Sequence, residues 1–241
     1  MRVLLMAMIA MLAMPASAQS LFDKAKTALT SDKTARSVSD LSEADIAAGL
    51  REALGLASDE VSARLGLEDA FLKDEKIHIP LPKSLRRVAK ALNRAGLGSL
   101  TEDLEMKLNR AAEAAAPKAK TLLLDSITTM SIEDAASILK GPEDAATQYL
   151  RRTAGEALLT EFRPIVHETL LDVGALASYD KTIAAYRDLP YVPDVRADLE
   201  SYASEKALDG LFYHIAKEEA LIRKNPLGRG SDLLAKVFGG E

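Results

Sequence analysis

Hydrophobic residues recur roughly every three to four positions through most of the chain, the spacing that places them on one side of an α-helix. The longest stretch with this spacing runs from Leu100 to Met130. We expect its core-facing side to consist of Leu100, Leu104, Leu108, Ala111, Ala112, Ala115, Ala119, Leu122 and Ser126. The pattern predicts a long central helix, bent at Pro117 because proline removes a backbone donor and crowds the preceding turn.

Helix-starting and helix-stopping residues predict further helices on both sides of the central one. Ser42 and Asp45 have the types and spacing of a capped helix start, and Pro82 suits the first position of a helix that ends at Gly96. We expect the remaining helices to begin near Ser131, Pro142, Leu176, Ser204 and Ser231. The sequence therefore predicts an all-α fold, with a single helical domain over residues 41–241 around the proline-kinked central helix.

Two short segments depart from the helical spacing. Ile77, Ile79 and Leu81 alternate with a histidine and two prolines, and residues 189–193 have the sequence LPYVP. Alternation of this kind with prolines is typical of extended or polyproline-like backbone. We expect at most a small extended pairing in an otherwise helical protein.

The first residues have the features of an export signal. One arginine precedes an unbroken apolar run from Val3 to Met14, and Ala16-Ser17-Ala18 is a small-residue site with cleavage expected before Gln19. The run is too short to cross a bilayer as a stable helix. We predict a periplasmic or secreted protein without a transmembrane segment after cleavage, with an uncleaved N-terminal anchor as the alternative. The signal peptide covers residues 1–18 and a mobile polar leader covers residues 19–40.

Composition removes several classes of function. The chain has no cysteine, which excludes disulfides, thiol catalysis, thiolate metal sites and iron–sulfur clusters. A formal net charge of -5 makes general nucleic-acid binding a poor fit. The absence of tryptophan and an aromatic content of 5% weaken the case for carbohydrate stacking or for single-stranded nucleic-acid binding.

Several segments resemble one bacterial family in their order and spacing. They are NRAAEAAAPKA (Asn109 to Ala119), MSIEDAASILKGPEDAATQYL (Met130 to Leu150), FRPIV (Phe162 to Val166), ALDGLF (Ala207 to Phe212), DLLAKVFG (Asp232 to Gly239) and the extended IPLP (Ile79 to Pro82). The family is catalogued as domain of unknown function 4197. The resemblance implies an exported, mostly helical bacterial envelope protein. It implies no activity, so no catalytic residue is carried over from it.

Glu219 is the polar residue that fits the helical pattern least. It lies on an apolar stripe between two isoleucines, where a carboxylate is unfavourable unless it is paired and hydrogen-bonded. Arg223 is one helical turn away and can reach it, and Arg110 or Arg151 could reach it from other helices. Glu219 is therefore either part of a structural ion pair that sets the helix register or a carboxylate that lines an internal pocket.

Asn109, Arg110 and Glu113 form a second polar cluster, on the central helix. Asn109 and Glu113 are one turn apart, so they share a side of the helix that borders its apolar face. One interpretation is a polar network that ties this helix to its neighbours. The other is a small polar pocket near Pro117, in which Arg110 clamps an anion.

The predicted helix after Pro82 carries a segregated positive side, which we call the basic stripe. The basic stripe consists of Lys83, Arg86, Arg87, Lys90 and Arg94, and the opposite side of Leu85, Val88, Ala89 and Leu92. In an acidic protein this stripe could meet phosphate-bearing lipid headgroups, an anionic envelope polymer or an acidic protein partner. The alternative is a solvated face whose apolar side is buried in the core.

The sequence offers no assignable catalytic residue, metal site or cofactor. His214 and Glu218 are spaced to share a side of one helix, but two ligands do not make a metal site and no H-E-x-x-H pattern is present. No nucleophile elbow, phosphate-binding loop or dinucleotide fingerprint occurs.

Three hypotheses about function follow. The first is a non-enzymatic envelope protein that binds a protein partner or an amphiphilic or anionic ligand, as the export signal and the basic stripe suggest. The second is an enzyme, a hydrolase by default, that uses Glu219, Arg110 and Glu113 in an internal helical pocket. The third is self-association through the C-terminal amphipathic segment.

Overall fold

The computed structural model describes residues 42–185, 196–226 and 232–238. Across these ranges the chain is helical and contains no strand, which confirms the all-α prediction. The helices are α1 (Glu43–Leu65), α2 (Arg86–Arg94), α3 (Gly98–Thr128), α4 (Ile132–Leu139), α5 (Ala145–Asp172), α6 (Ala175–Ala184), α7 (Arg196–Lys224) and α8 (Asp232–Phe238). The predicted signal peptide and leader, Ser231 and the proline segment 189–193 lie outside the described residues.

Helix α3 is the centre of the packing, as its pattern predicts. It contacts α1, α2, α5, α6 and α7. The alanines on its core-facing side are almost completely buried, so the neighbouring helices approach its backbone closely; they are Ala111, Ala112, Ala115, Ala116 and Ala119. The expected core face is less buried at its ends: Leu100 and Ser126 are only half-buried, and Leu122 is half-buried but packs against the core. After Pro117 the buried side is the one that carries larger apolar side chains, at Leu123, Ile127 and Met130.

Pro117 lies inside α3, and the helix continues through it. The proline ring packs against the backbone just after α1: a Cβ added at Gly66 would lie 2.4 Å from Pro117 Cγ. Glycine at position 66 therefore leaves the space that the ring occupies. The bend that we expect at Pro117 stays a prediction.

Several predicted helix ends are confirmed by their local geometry. Ser42 and Ser131 each cap a helix through a reciprocal pair of hydrogen bonds with the aspartate three residues later, Asp45 and Asp134. Gly96 adopts the expected left-handed conformation after α2, with φ of 77°. Such ends depend on residues that are neighbours in sequence, which is why they can be predicted.

The predicted helix start at Pro82 is only partly correct. A 3-10 turn at Lys83–Leu85 follows Pro82, and the α-helical part, α2, begins at Arg86.

Two other predicted helix starts are wrong. Helix α5 begins at Ala145 rather than at Pro142, and the residues between them form a turn. Helix α7 is already formed at Arg196, so Ser204 is not a cap. Ser204 is instead buried inside the helix, where its hydroxyl donates to the carbonyl of Glu200 at 2.8 Å.

The C-terminal helix α8 packs against α1. Val237 is 2% exposed, and a Cβ added at Gly49 would lie 2.7 Å from its Cγ2 atom. The apolar side of α8 that carries Val237 is therefore used within the chain. The guanidinium of Arg223 in α7 lies 5.1 Å from the ring centroid of Phe238, which adds a second attachment for α8.

Candidate functional site

A column of polar side chains on α3 holds the loop that joins α1 to α2. Asn109 pairs with both backbone groups of Ile79: its Oδ1 accepts the N–H at 2.9 Å and its Nδ2 donates to the carbonyl at 2.9 Å. One turn earlier, Glu105 Oε2 accepts the N–H of Leu81 at 3.0 Å. The amide of Asn109 thus replaces the strand partner that this extended segment lacks among the described residues.

Glu113 continues this column one turn later and is 3% exposed. Its Oε1 accepts the N–H groups of Phe71 and Leu72 at 3.0 and 3.2 Å. Its Oε2 accepts from Arg110 at 2.7 Å, and Arg110 also donates to Asp69 at 2.6 Å. The hydrogen bond with Glu113 raises the pKa of Arg110 above its ordinary value, so the guanidinium stays charged. Together these contacts position the loop on α3.

Glu219 is 1% exposed and anchors α7 to the start of α5. Its carboxylate accepts the N–H groups of Ala146 and Thr147 at 3.0 and 2.8 Å, and the Thr147 hydroxyl at 2.7 Å. Arg223 donates to it through Nε and Nη2 at 3.0 and 2.9 Å. Asp144, the residue before α5, makes no side-chain cap, so Glu219 supplies the negative charge that a helix N-terminus favours.

The other two arginines considered as partners of Glu219 pair elsewhere. Arg110 binds Glu113 and the loop, and Arg151 forms an ion pair with Asp209. No residue that hydrogen-bonds to Glu113 also hydrogen-bonds to Glu219 among the described contacts. The two buried carboxylates therefore belong to separate networks, each built around backbone N–H groups and one arginine.

The basic stripe is on the surface, and its helix is held by the opposite side. Within the described part of the chain, its five cations are exposed and have no ion pair or hydrogen-bond partner. The opposite side packs into the core: Leu85 and Val88 are each 1% exposed and Leu92 is 3% exposed. The apolar side of this helix is therefore occupied, and the cations lie on the side that faces solvent.

An open cleft of about 550 Å³ lies between α2 and the extended part of the loop. We call it the basic cleft. On the α2 side it is bordered by Arg86, Lys90 and Arg94. It is also lined by Pro80, Leu81, Ala89, Asn93 and Glu105.

The loop wall of the basic cleft is tied to two helices. The hydroxyl of Tyr202 in α7 donates to the carbonyl of Pro80 at 2.9 Å, while Asn109 and Glu105 hold the residues on either side from α3. Burial raises the pKa of Tyr202, which keeps its hydroxyl protonated as a donor. The wall is therefore positioned before any ligand arrives.

Of the three residues that hold this wall, sequence reasoning identified Asn109 and missed Glu105 and Tyr202. Glu105 lies one turn before Asn109, so the spacing of Glu105, Asn109 and Glu113 along one side of a helix was a usable signal. No comparable signal pointed to Tyr202, because its partner Pro80 is 122 positions away in the sequence.

The histidines contact carboxylates. His214 Nε2 lies 2.9 Å from Asp74 Oδ2, and His167 Nδ1 lies 2.8 Å from Glu200 Oε2. Burial lowers the pKa of His214 despite the hydrogen bond with Asp74. The described ranges contain no group of three or more histidine, aspartate or glutamate side chains arranged to hold a metal ion.

None of the described helices has both the length and the apolar character needed to cross a membrane. No curated protein and no solved structure matches the chain. The model of one protein family matches residues 40–239, which confirms the resemblance seen in the sequence. By this match the chain belongs to the family described as "Protein of unknown function (DUF4197)".

Proposed function

We propose that the protein is an exported, non-enzymatic binding module of the bacterial envelope, and that it binds an anionic ligand or partner through the basic stripe. The observation that carries the proposal is a row of exposed cations that have no counter-ion among the described residues, next to a cleft whose opposite wall is already positioned. Export is supported by the features of residues 1–18.

The charge distribution around α2 supports this function. Between Glu75 and Glu102 the chain has six lysines and arginines and no acidic residue, although its formal net charge is -5. A local positive surface on an acidic protein attracts anions without binding nucleic acid in general. The basic stripe contains five of these six cations, and all five are exposed.

The cations of the basic stripe also destabilise the helix that carries them. A surface without a binding role has no reason to keep such unfavourable charges. Its first cations lie at the N-terminus of α2, where the helix dipole disfavours each positive charge by about 0.3–1 kcal/mol. Like charges one turn apart, such as Arg86 and Lys90, oppose each other by a few tenths of a kcal/mol. A bound anion relieves both effects, so its binding to this helix is favourable.

Binding at this site is a surface interaction, because the apolar side of α2 is buried. The energy comes from charge, at about 1 kcal/mol for each lysine or arginine close to an anionic membrane. Such binding weakens with added salt, since charges are screened over about 8 Å at physiological ionic strength.

The alternative of an enzyme requires Glu219, Arg110 and Glu113 to meet in one pocket. Their separate hydrogen-bond networks favour the binding module instead.

Sedimentation with vesicles tests the proposal. The Arg86→Glu/Arg87→Glu variant should bind vesicles that contain phosphatidylglycerol at least about tenfold more weakly than the wild type, and neither protein should bind purely zwitterionic vesicles. Lys118→Glu/Lys140→Glu is the matched control, because it reverses two exposed lysines outside the stripe. Equal loss in both variants, or no loss in the first, would remove the stripe from the function.

Thermal unfolding of the same variants tests whether weaker binding results from unfolding of the protein rather than from the loss of the cations. Arg86→Glu/Arg87→Glu places carboxylates at the first turn of α2, where the helix dipole favours them. Its Tm should therefore equal or exceed that of the wild type while its binding falls. A large drop in Tm would contradict the claim that these arginines are unfavourable for the helix.

A further inference from the structure

The basic stripe divides into two parts with different surroundings. Arg86, Lys90 and Arg94 border the basic cleft, whereas Lys83 and Arg87 do not. The first three are spaced four residues apart on one continuous helix side, and the other two face open solvent. Arg86, Lys90 and Arg94 therefore lie within the basic cleft, and the other two cations of the stripe lie outside it.

The cleft-facing cations form an elongated row. At a rise of about 1.5 Å per residue, neighbouring members are about 6 Å apart along the axis of α2, and Arg86 and Arg94 are about 12 Å apart. A single phosphate group is smaller than this row and contacts only part of it. A ligand that uses all three cations must carry anionic groups at two or more points along its length.

The rest of the cleft is suited to a carbon skeleton rather than to more charge. Pro80 and Leu81 on the loop wall and Ala89 on α2 contribute apolar surface beside the cations. Glu105 is on the loop side, where its Oε2 is bound to Leu81 N–H and its Oε1 lies 3.4 Å from His78 Nε2. Its negative charge repels anionic groups from that wall and directs them to the α2 side.

On this basis we infer that the basic cleft binds a ligand with two phosphate groups joined by a short carbon skeleton, held along Arg86, Lys90 and Arg94. The inference rests on the proposed function and specifies its ligand. The same chemistry occurs in a soluble bisphosphate and in a lipid headgroup that carries two phosphates, so the experiment includes both sources.

Titration calorimetry compares glycerol 1,3-bisphosphate with glycerol 1-phosphate, and vesicle sedimentation compares cardiolipin with phosphatidylglycerol at equal total surface charge. The two-phosphate member of at least one pair should bind about tenfold more tightly or better than its one-phosphate counterpart. A preference only among the soluble compounds identifies a free ligand, and a preference only on vesicles identifies a lipid. No preference in either pair overturns the inference.

Two variants of equal charge locate the site. Arg86→Gln/Arg94→Gln should lose the preference for two phosphates, while Lys83→Gln/Arg87→Gln should keep it, although both remove two cations from the stripe. Equal effects of the two variants would overturn the cleft as the site. They would leave the proposed function standing, because that function is tested separately by the binding of the wild type to anionic vesicles and by its loss in Arg86→Glu/Arg87→Glu.

Glu105→Gln provides a variant that is expected to gain affinity. Glutamine retains an acceptor for Leu81 N–H and removes the charge, so the bisphosphate or cardiolipin should bind several-fold more tightly. A gain cannot come from partial unfolding. Unchanged or weaker binding would contradict the position assigned to the ligand.

Discussion

Replacing Glu219 with glutamine should destabilise the protein by about 3 kcal/mol, although the two side chains have nearly the same shape. The carboxylate accepts hydrogen bonds from the backbone of Ala146 and Thr147, from the Thr147 hydroxyl and from Arg223. A glutamine amide has one acceptor oxygen, and its NH₂ group cannot accept. One side of the site therefore loses its hydrogen bonds.

The size of this loss in stability follows from the hydrogen-bond donors that Glu219→Gln leaves without an acceptor. If the amide oxygen faces Arg223 and Ala146, the NH₂ group faces the N–H of Thr147, and a buried unpaired donor costs about 1–3 kcal/mol. Arg223 also keeps its charge without a carboxylate, and breaking a buried ion pair costs about 3–5 kcal/mol. Arg223 keeps its contacts with Ile138 and Phe238, which lessens the loss.

Chemical denaturation followed by circular dichroism measures this free energy. In a domain of this size, about 3 kcal/mol corresponds to a fall in Tm of roughly 6–12 °C. Glu205→Gln is the matched control, since Glu205 is exposed on the same helix, and it should change stability by no more than about 0.5 kcal/mol. If Glu219→Gln is as stable as the wild type, the hydrogen bonds of the Glu219 carboxylate do not tie α7 to α5.

Three further substitutions test other contacts. Asn109→Ala leaves both backbone groups of the loop residue that it binds unpaired, and denaturation should show a loss of about 2–4 kcal/mol; a change under about 0.5 kcal/mol would contradict the contact. Gly49→Ala should lower Tm through its clash with Val237, and Gly49→Ala/Val237→Ala should fall by less than the sum of the single changes, whereas simple additivity would argue against the packing of α8 on α1. Burial lowers the pKa of His214 below its ordinary 6.5, so the unfolded state binds more protons and stability falls as the pH drops from about 7 to 5. His214→Gln should make stability depend less on pH in this range. An unchanged slope of stability against pH would refute the role assigned to His214.

Helix type and many helix ends were predictable because they depend on near neighbours. The capped starts at Ser42 and Ser131 and the left-handed Gly96 follow from residues within one turn. Pro142 and Ser204 misled the prediction for the same reason. Each has the local features of a helix start, but the actual start of α5 is set by a carboxylate from α7 and Ser204 lies within α7.

The candidate site was predictable in part. The basic stripe can be identified from spacing alone, since α2 carries four of its cations and Lys83 lies in the 3-10 turn directly before that helix. The cleft beside it cannot, because its second wall is a loop whose position depends on Asn109, Glu105 and Tyr202. A periodic pattern shows which side of a helix is polar, but it does not show what that side faces.

The sequence by itself determined that this protein is helical, where several of its helices begin, which sides they bury and which helix is basic. These properties arise from interactions over a few residues, and a repeating pattern records them. Only the tertiary structure decided that Glu219 caps α5 and that Asn109 holds the loop wall of the basic cleft. The residues in those two contacts are 72 and 30 positions apart, so they meet only after the helices have packed.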